Sequence, residues 1–367
     1  MKKILRVASY PTVEESGRGL HCYELSNDQK FEIIYLTWFK KDAIPFDDPV
    51  STKKYIRKFY TQENPKKGSL LNKISFNLIR FYRIITFSFS AVYLIFKHRV
   101  DIVHIHSPMF LIVTFFSKLL GKKNIITFHG ADFFRIENAK WYKFLSFNID
   151  LVFSISPRYI NKLKVIHNCK VVQIFNGIDT DIYKNYNLTR KKQILAVANF
   201  KPQKGLKYLI EGFNKYIKNY NDNEYKLIIA GKGILFEEIS KQITNLKLNH
   251  RIELVGQKNR DQLIELYNQS EVFILPSIWE GFAKVLLESM ACGCKVISTN
   301  VDSAPLLLDG WGYMINHSNH DEICESLHKV INNENYQFDT QFESVNNYTW
   351  KSIRNNYYNS IINYLNF

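Results

Sequence analysis

The feature that most constrains this chain is its rhythm, in which short apolar runs rich in Ile, Val, Phe and Tyr alternate with amphipathic stretches along all 367 residues. Runs apolar on both faces suit parallel strands covered by crossover helices, whereas half-solvated strands alternate polar with apolar. The pattern predicts strands at Ile4–Ser9, Phe31–Leu36, Ile102–His106, Ile125–Phe128, Leu151–Ile155 and Val171–Ile174. A polar stretch, 179–192, reads as a linker, and a second series follows at Ile194–Ala198, Tyr225–Ala230, Arg251–Val255, Val272–Leu275 and Val296–Ser298. The expected fold class is therefore α/β, with two Rossmann-like doubly wound domains over residues 1–178 and 179–349. Residues 350–367 carry apolar side chains at helical spacing and are expected to cross back to the first domain. Open sheets of this kind bind ligands beyond the carboxyl ends of their strands, which makes those loops the place to look for chemistry.

Charge narrows the partners. Forty-nine Lys and Arg against 34 Asp and Glu give +15, which favours an anionic partner such as a nucleotide, nucleic acid, lipid head group or phosphorylated substrate. Residues 51–99 hold 11 of the basic residues and one acid, Glu63, interleaved with Tyr55, Phe59, Tyr60, Phe76, Phe81, Tyr82, Phe87 and Phe89. That mixture suits an anionic membrane surface. It also suits an ordinary basic helical face, and no nucleic-acid module accompanies it. The longest uncharged, mostly apolar run, Ile84–Phe96, has 13 residues, fewer than the ~20 of a spanning helix, so the chain is expected to be soluble or to lie on a membrane surface. Met1–Ala8 reads as a first strand and not as a secretory leader. The five cysteines (Cys22, Cys169, Cys292, Cys294, Cys324) contain no C-x-x-C, which indicates neither a zinc site nor a disulfide framework and fits a reducing cytoplasm.

The most informative string is Pro276–Ile297, PSIWEGFAKVLLESMACGCKVI. A strand ends, a loop carries Glu280 and Gly281, and a helix starts near Ala283 and runs past Glu288. Within one helix the two glutamates would sit ~12 Å and ~80° apart, but Glu280 precedes the helix and the loop can turn it toward a ligand. Gly281 lets backbone approach closely, and the N–H groups of Phe282 and Ala283 at the helix start suit a phosphate. A lone E-x7-E, by contrast, is an ordinary cap and solvated face.

The whole string resembles the EGFG-x-x-x-LEAMA-x-G-x-PVI signature of the retaining, nucleotide-sugar-dependent glycosyltransferases of family 4, also called glycosyl transferases group 1, which have the GT-B fold. Further matches follow in the family's order: DIVHIH at 101–106, TFHG at 127–130, NGID at 176–179, VANFKPQKG at 197–205 and GKG at 231–233. The resemblance implies that Lys204 neutralises a diphosphate, that Glu280 binds the donor sugar, and that Glu288 binds the ribose hydroxyls. It implies that His129 lines a cleft near the transferred sugar and acceptor. Where the family has an arginine to assist the lysine, this chain has Asn199, which brings hydrogen bonds but no charge, with Lys201 nearby. The first loop holds Gly17 and Gly19 where the family has a glycine pair; Cys22 breaks any G-x-G-x-x-G, which excludes a dinucleotide fingerprint.

Other polar residues read more plainly. His104 and His106 alternate with Val103 and Ile105 along a strand, as satisfied half-buried histidines would. Asp132 is a weaker acceptor-side candidate, or a surface turn. Asp179 and Asp181 form a D-x-D, but they follow Asn176 and Gly177 where aspartate is ordinary turn chemistry, so no metal is expected. The expectation is a metal-independent, retaining transferase without a cofactor, with a nucleoside diphosphate sugar as co-substrate, a glycan or lipid-linked acceptor and a role in surface polysaccharide synthesis. It would work in the cytoplasm or on the inner face of the cytoplasmic membrane. A catalytically inactive nucleotide-sugar-binding protein of the same fold, acting as an assembly partner, is the alternative.

Overall fold

The computed structural model describes residues 1–8, 18–27, 30–37, 53–56, 70–137, 139–308 and 310–366. Two compact units result, Met1–Phe175 with Ile353–Phe367, and Asn176–Ser352. Residues 179–192 thus belong to the second unit, and Tyr183 within them is buried in its core.

The first unit is a seven-stranded parallel sheet of β1 (Lys2–Val7), β2 (Phe31–Thr37), β3 (Lys53–Ile56), β4 (Ile102–Ile105), β5 (Lys123–Phe128), β6 (Leu151–Ser154) and β7 (Lys170–Gln173). Its order, β3-β2-β1-β4-β5-β6-β7, reverses between β1 and β4, which places the topological switch point at their carboxyl ends. Strands β4 and β6 are buried at every position because helices cover both faces. The edge strand β3, Lys-Lys-Tyr-Ile, is too short and too basic to read as a strand from sequence.

Helix α1 (Arg18–Glu24) follows β1, helix α2 (Leu70–His98) precedes β4, and helix α3 (Leu111–Leu119) follows it. Helix α2 has 29 residues, so the 13-residue apolar run is part of a much longer element. Over Asn77–His98 it is long and apolar enough to cross a membrane by length and composition, contrary to the expectation from the run alone. Counting uninterrupted apolar residues missed this because isolated arginines at 80 and 83 interrupt the run without ending the helix. Phe87, Ala91, Leu94 and Ile95 pack into the core of the first unit, so one side of the helix is a core face.

The second unit is a six-stranded parallel sheet of β8 (Lys191–Val197), β9 (Lys226–Ala230), β10 (Ile252–Gly256), β11 (Ser270–Leu275), β12 (Lys295–Thr299) and β13 (Tyr313–Ile315), ordered β10-β9-β8-β11-β12-β13. Its switch point lies between β8 and β11. Both doubly wound sheets match the α/β expectation; the three-residue edge strand β13 was not anticipated. The C-terminal helix, Trp350–Leu365, belongs from Ile353 onward to the first unit, where Tyr357 and Tyr358 are fully buried.

Candidate functional site

At the second unit's switch point the loops after β8 and β11 are pressed together. Gly205 has φ +65°, and a Cβ there would lie 2.0 Å from the Pro276 carbonyl oxygen, so only glycine permits this approach. The Ile278 N–H donates to Gln203 O at 2.8 Å. This closeness brings Lys204 Nζ to 2.5 Å from Glu280 Oε1, which also accepts from Ser277 Oγ at 2.7 Å. Both side chains of the pair are less than a fifth exposed. The separation of 76 positions along the chain hides this pair from any local reading of the sequence.

The loop after β12 completes the arrangement. Asp302, in the left-handed region at φ +48°, accepts the Glu280 N–H at 2.8 Å, and buried Ser303 accepts the Ala283 N–H at 3.0 Å. The helix Lys284–Ala291 begins one residue after Ala283, close to its expected start. Its opening donors are not all free, however: Ser303 takes the Ala283 N–H, and the Lys284 N–H turns back to Phe282 O at 2.9 Å. Gly281 and Phe282 are partly exposed in this loop. Asn199 is exposed at the end of β8, and Lys201 beside it is exposed too. Gly231, at φ +145°, allows the GKG turn to pack on that loop, since a Cβ would meet Ala198 O at 1.9 Å.

Glu288 is 4% exposed, so it is not a solvated helix residue. Tyr267 donates to its Oε2 at 3.1 Å, and Lys284 pairs with its Oε1 at 3.1 Å. Burial, then the nearby Glu288 charge, push the Tyr183 and Tyr267 phenols above their ordinary range, so both remain protonated. Neither tyrosine was singled out by the sequence: Tyr183 stands in the stretch that reads as a linker, and Tyr267, isolated in an amphipathic segment, reads as core. Asp179 Oδ1 accepts the Asp181 N–H at 3.0 Å, an Asx turn.

The first unit has its own polar cluster at the switch point between β1 and β4. His106, directly after β4, is fully buried, while His129, directly after β5, is partly exposed; their rings join at 3.3 Å, Nδ1 of the first to Nε2 of the second. His104 is fully rather than half buried and is satisfied by Tyr357 Oη at 2.7 Å and Thr127 Oγ1 at 2.8 Å. Desolvation first, then neighbouring positive charge, hold the imidazoles of His104, His106 and His129 well below the usual histidine range, so all three are neutral at pH 7. Asp132 is 1% exposed and not a surface turn; its Oδ2 takes Arg18 at 2.7 Å and the His129 N–H at 3.2 Å. Gly17 lies outside the described residues, and Gly19 is buried in the first turn of α1, so it is helical and not part of an open glycine turn. One group offers three ligand atoms within 4.8 Å of one another, from Cys22, His106 and His129, although sequence spacing gave no hint of it.

Two doubly wound parallel domains with these loop motifs define the GT-B class. Residues 178–344 match the family described as "Glycosyl transferases group 1", and residues 62–182 match "Glycosyltransferase Family 4"; the chain belongs to this family. An uncharacterized glycosyltransferase of Methanocaldococcus jannaschii is 30% identical over 246 residues, covering 64% of this chain and 66% of that protein. The N-acetyl-alpha-D-glucosaminyl L-malate synthase of Bacillus anthracis is 27% identical, with 62% of each chain covered. The alignments therefore span a little under two thirds of these relatives. The UDP-Gal:alpha-D-GlcNAc-diphosphoundecaprenol alpha-1,3-galactosyltransferase of Escherichia coli is 24% identical and covers 90% of this chain and 88% of its own. Among solved structures, sucrose-phosphate synthase from Thermosynechococcus elongatus superposes with a TM-score of 0.74 at 16% identity, covering 99% of both chains. Anabaena HepE in complex with UDP and glucose superposes at 0.70 with 15% identity, covering 98% of this chain and 99% of that one.

Proposed function

We propose that this protein is a retaining, metal-independent glycosyltransferase that moves a sugar from a nucleoside diphosphate sugar to a hydroxyl of a glycan or lipid-linked glycan in surface polysaccharide synthesis. The observation that carries the reading is the Lys204–Glu280 pair at the second sheet's switch point, a cation and a carboxylate held together where this fold takes its ligands. The chemical need is to stabilise negative charge growing on the departing diphosphate. An ammonium has three donors, so Lys204 can keep Glu280 and still donate to a phosphate oxygen; Glu280 keeps a second oxygen for a hydroxyl of the donor sugar. Glu288 would turn from Lys284 to the ribose hydroxyls while its tyrosines hold it. By its resemblance to the family's histidine, His129 would act near the transferred sugar and acceptor. The acceptor attacks on the leaving-group side and loses its proton to the departing phosphate, a route that needs no carboxylate nucleophile and no cofactor. Relatives named for UDP and for a diphosphoundecaprenol-linked acceptor support the donor and acceptor classes. A thermal-shift screen against UDP, GDP, ADP and their sugars tests the donor site, since a ligand of the native state raises the melting temperature. Failure of every nucleotide to shift it would defeat the reading.

We also propose that the first unit docks on an anionic membrane at the cytoplasmic face. Leu78, Tyr82, Phe89, Tyr93 and Phe96 are all exposed and recur at intervals that place them on one face of α2, opposite Phe87, Ala91, Leu94 and Ile95. The excess of +10 over residues 51–99 complements a negative surface at ~1 kcal/mol for each cation in contact. Aromatic insertion adds a part that salt does not remove. Co-sedimentation with anionic but not neutral vesicles, weakened by salt, is expected; equal and negligible binding to both would refute docking.

The second reading, a binding protein without transfer activity, draws on exposed Asn199 at a position where the family carries positive charge. Purified protein that binds a nucleotide sugar yet neither hydrolyses nor transfers it would favour this alternative.

A further inference from the structure

Two lysines and two glutamates stand where the second unit's sheet meets its ligand loops, and each lysine is already paired with one glutamate. Lys204 holds Glu280, and Lys284, the first residue of the helix Lys284–Ala291, holds Glu288 one turn further on. The four charges cancel, so in this state they offer a diphosphate no net attraction. The loop after β8 adds little: Asn199 is uncharged, and Lys201 is exposed, where water and salt screen its charge.

The backbone donors at the helix start are mostly committed as well. The Ala283 N–H goes to Ser303 Oγ at 3.0 Å, that of Lys284 to Phe282 O at 2.9 Å, and those of Leu286 and Leu287 to Ala283 O at 3.1 and 3.3 Å. A phosphate arriving at this helix start therefore needs a side-chain cation, and Lys284 is the cation that the first turn carries. In a helix the Cα–Cβ bond tilts toward the N-terminus, so Glu288 leans back over Lys284, and their 3.1 Å contact lies over the opening turn.

Lys284 and a bound ribose compete for the same carboxylate. Tyr267 donates to Glu288 Oε2 at 3.1 Å, and Lys284 takes Oε1. A ribose hydroxyl that reaches Oε1 displaces the ammonium, and a partly buried cation left without a counter-charge is costly. A diphosphate on the same ligand supplies that counter-charge. We propose that Lys284 binds the diphosphate: the ribose hydroxyls engage Glu288, Glu288 releases Lys284, and the ammonium moves to a phosphate oxygen. Glu288 thereby gates the cation. A free phosphate must break a buried pair to recruit Lys284, whereas a nucleoside diphosphate satisfies both ends at once. The site selects nucleoside diphosphates over inorganic phosphates and over bare nucleosides. The proposal rests on the reading of Glu288 as the ribose ligand.

Calorimetric titration with inorganic pyrophosphate, in EDTA and at low salt, tests the gate without any nucleotide. Glu288→Gln keeps the shape of the side chain but removes the charge that holds Lys284. It should bind pyrophosphate about tenfold more tightly than wild type, as one charge-assisted hydrogen bond implies. Combining Glu288→Gln with Lys284→Met should abolish the gain. Neither protein leaves a buried carboxylate unpaired, and circular dichroism checks that both are folded. No gain in Glu288→Gln, or a gain that survives the loss of Lys284, would overturn the proposal. UDP, GDP and ADP supply the second arm, each beside its nucleoside, with the nucleosides followed by ligand-observed NMR. The double variant should bind a diphosphate about tenfold less tightly than Glu288→Gln and the parent nucleoside equally well. Equal losses for both would make Lys284 a brace for the helix start and overturn the proposal. If wild type binds none of the three, the donor-site reading fails and takes this proposal with it; a nucleotide that binds without the pyrophosphate gain overturns the role of Lys284 alone.

Discussion

Replacing Gly205 with alanine perturbs the donor site in a way that the backbone itself quantifies, because a matched control exists in the same unit. Gly205 and Gly256 have nearly equal φ, +65° and +71°, but a Cβ at Gly205 would lie 2.0 Å from Pro276 O while one at Gly256 meets nothing within 4 Å. The left-handed conformation costs ~1–2 kcal/mol for alanine, offset by ~0.4–1 kcal/mol from the stiffer unfolded chain. Gly256→Ala should therefore lose about 1 kcal/mol, or ~2–4 °C in a domain of this size. Gly205→Ala carries the same penalty and must also open its loop by ~1 Å to reach the shortest tolerable contact of 3.0 Å. That movement strains the 2.8 Å bond from Ile278 to Gln203 and separates Lys204 from Glu280, a further ~2–3 kcal/mol. Calorimetry on both variants measures the difference, and titration with nucleoside diphosphate measures the site. Gly256→Ala should bind as wild type, and Gly205→Ala should bind weakly or not at all. Equal melting temperatures and equal affinities would refute the claim that loop contact at Gly205 builds the donor site.

Other expectations follow from the same geometry. Glu288→Gln should weaken donor binding more than it slows turnover, and Tyr267→Phe should do the same to a smaller degree, both read from the split between KM and kcat. Activity should survive EDTA; an enzyme silenced by chelation and restored by Mn²⁺ would show that Asp179 and Asp181 had been misjudged. Acid should destabilise the first unit: desolvation lowers the His167 pKa to about 4, so the unfolded chain binds a proton there first as pH falls below ~6.5. That contribution is intact above pH ~6.5 and is lost between there and pH ~4, by roughly 3 kcal/mol, with His104, His106 and His129 acting in the same direction. Denaturant titrations from pH 7 to 4 should show the decline, and His167→Gln should flatten part of it.

The strands with Ile- and Val-rich interiors were legible because burial on both faces leaves a continuous apolar run. Strands β3 and β13 were not, since an edge strand of three or four residues needs no such run. The Glu280–Glu288 string was legible as a motif, yet the partners that hold it come from elsewhere in the chain: Lys204, Asp302, Ser303, Tyr267 and Tyr183. Only the sheet's topology brings those loops together. Arg6, a lone cation inside an apolar strand, is held by His106 and Tyr357, 100 and 351 positions away, which no local reading of the sequence reaches. The exposed stripe of α2 was masked by counting charges along a line instead of around a helix.

The central claim, that the second unit's switch point uses Lys204 to discharge a nucleoside diphosphate from its sugar, is tested most directly by nucleoside diphosphate release. Wild-type and Lys204→Ala protein would be incubated in EDTA with UDP-, GDP- and ADP-sugars, and the free diphosphate measured over time. The account predicts that the wild type turns over at least one donor and that Lys204→Ala does so ~10²- to 10³-fold more slowly, as loss of one charge-stabilising donor implies. Turnover by Lys204→Ala at the wild-type rate, or release that requires a metal ion, would contradict it.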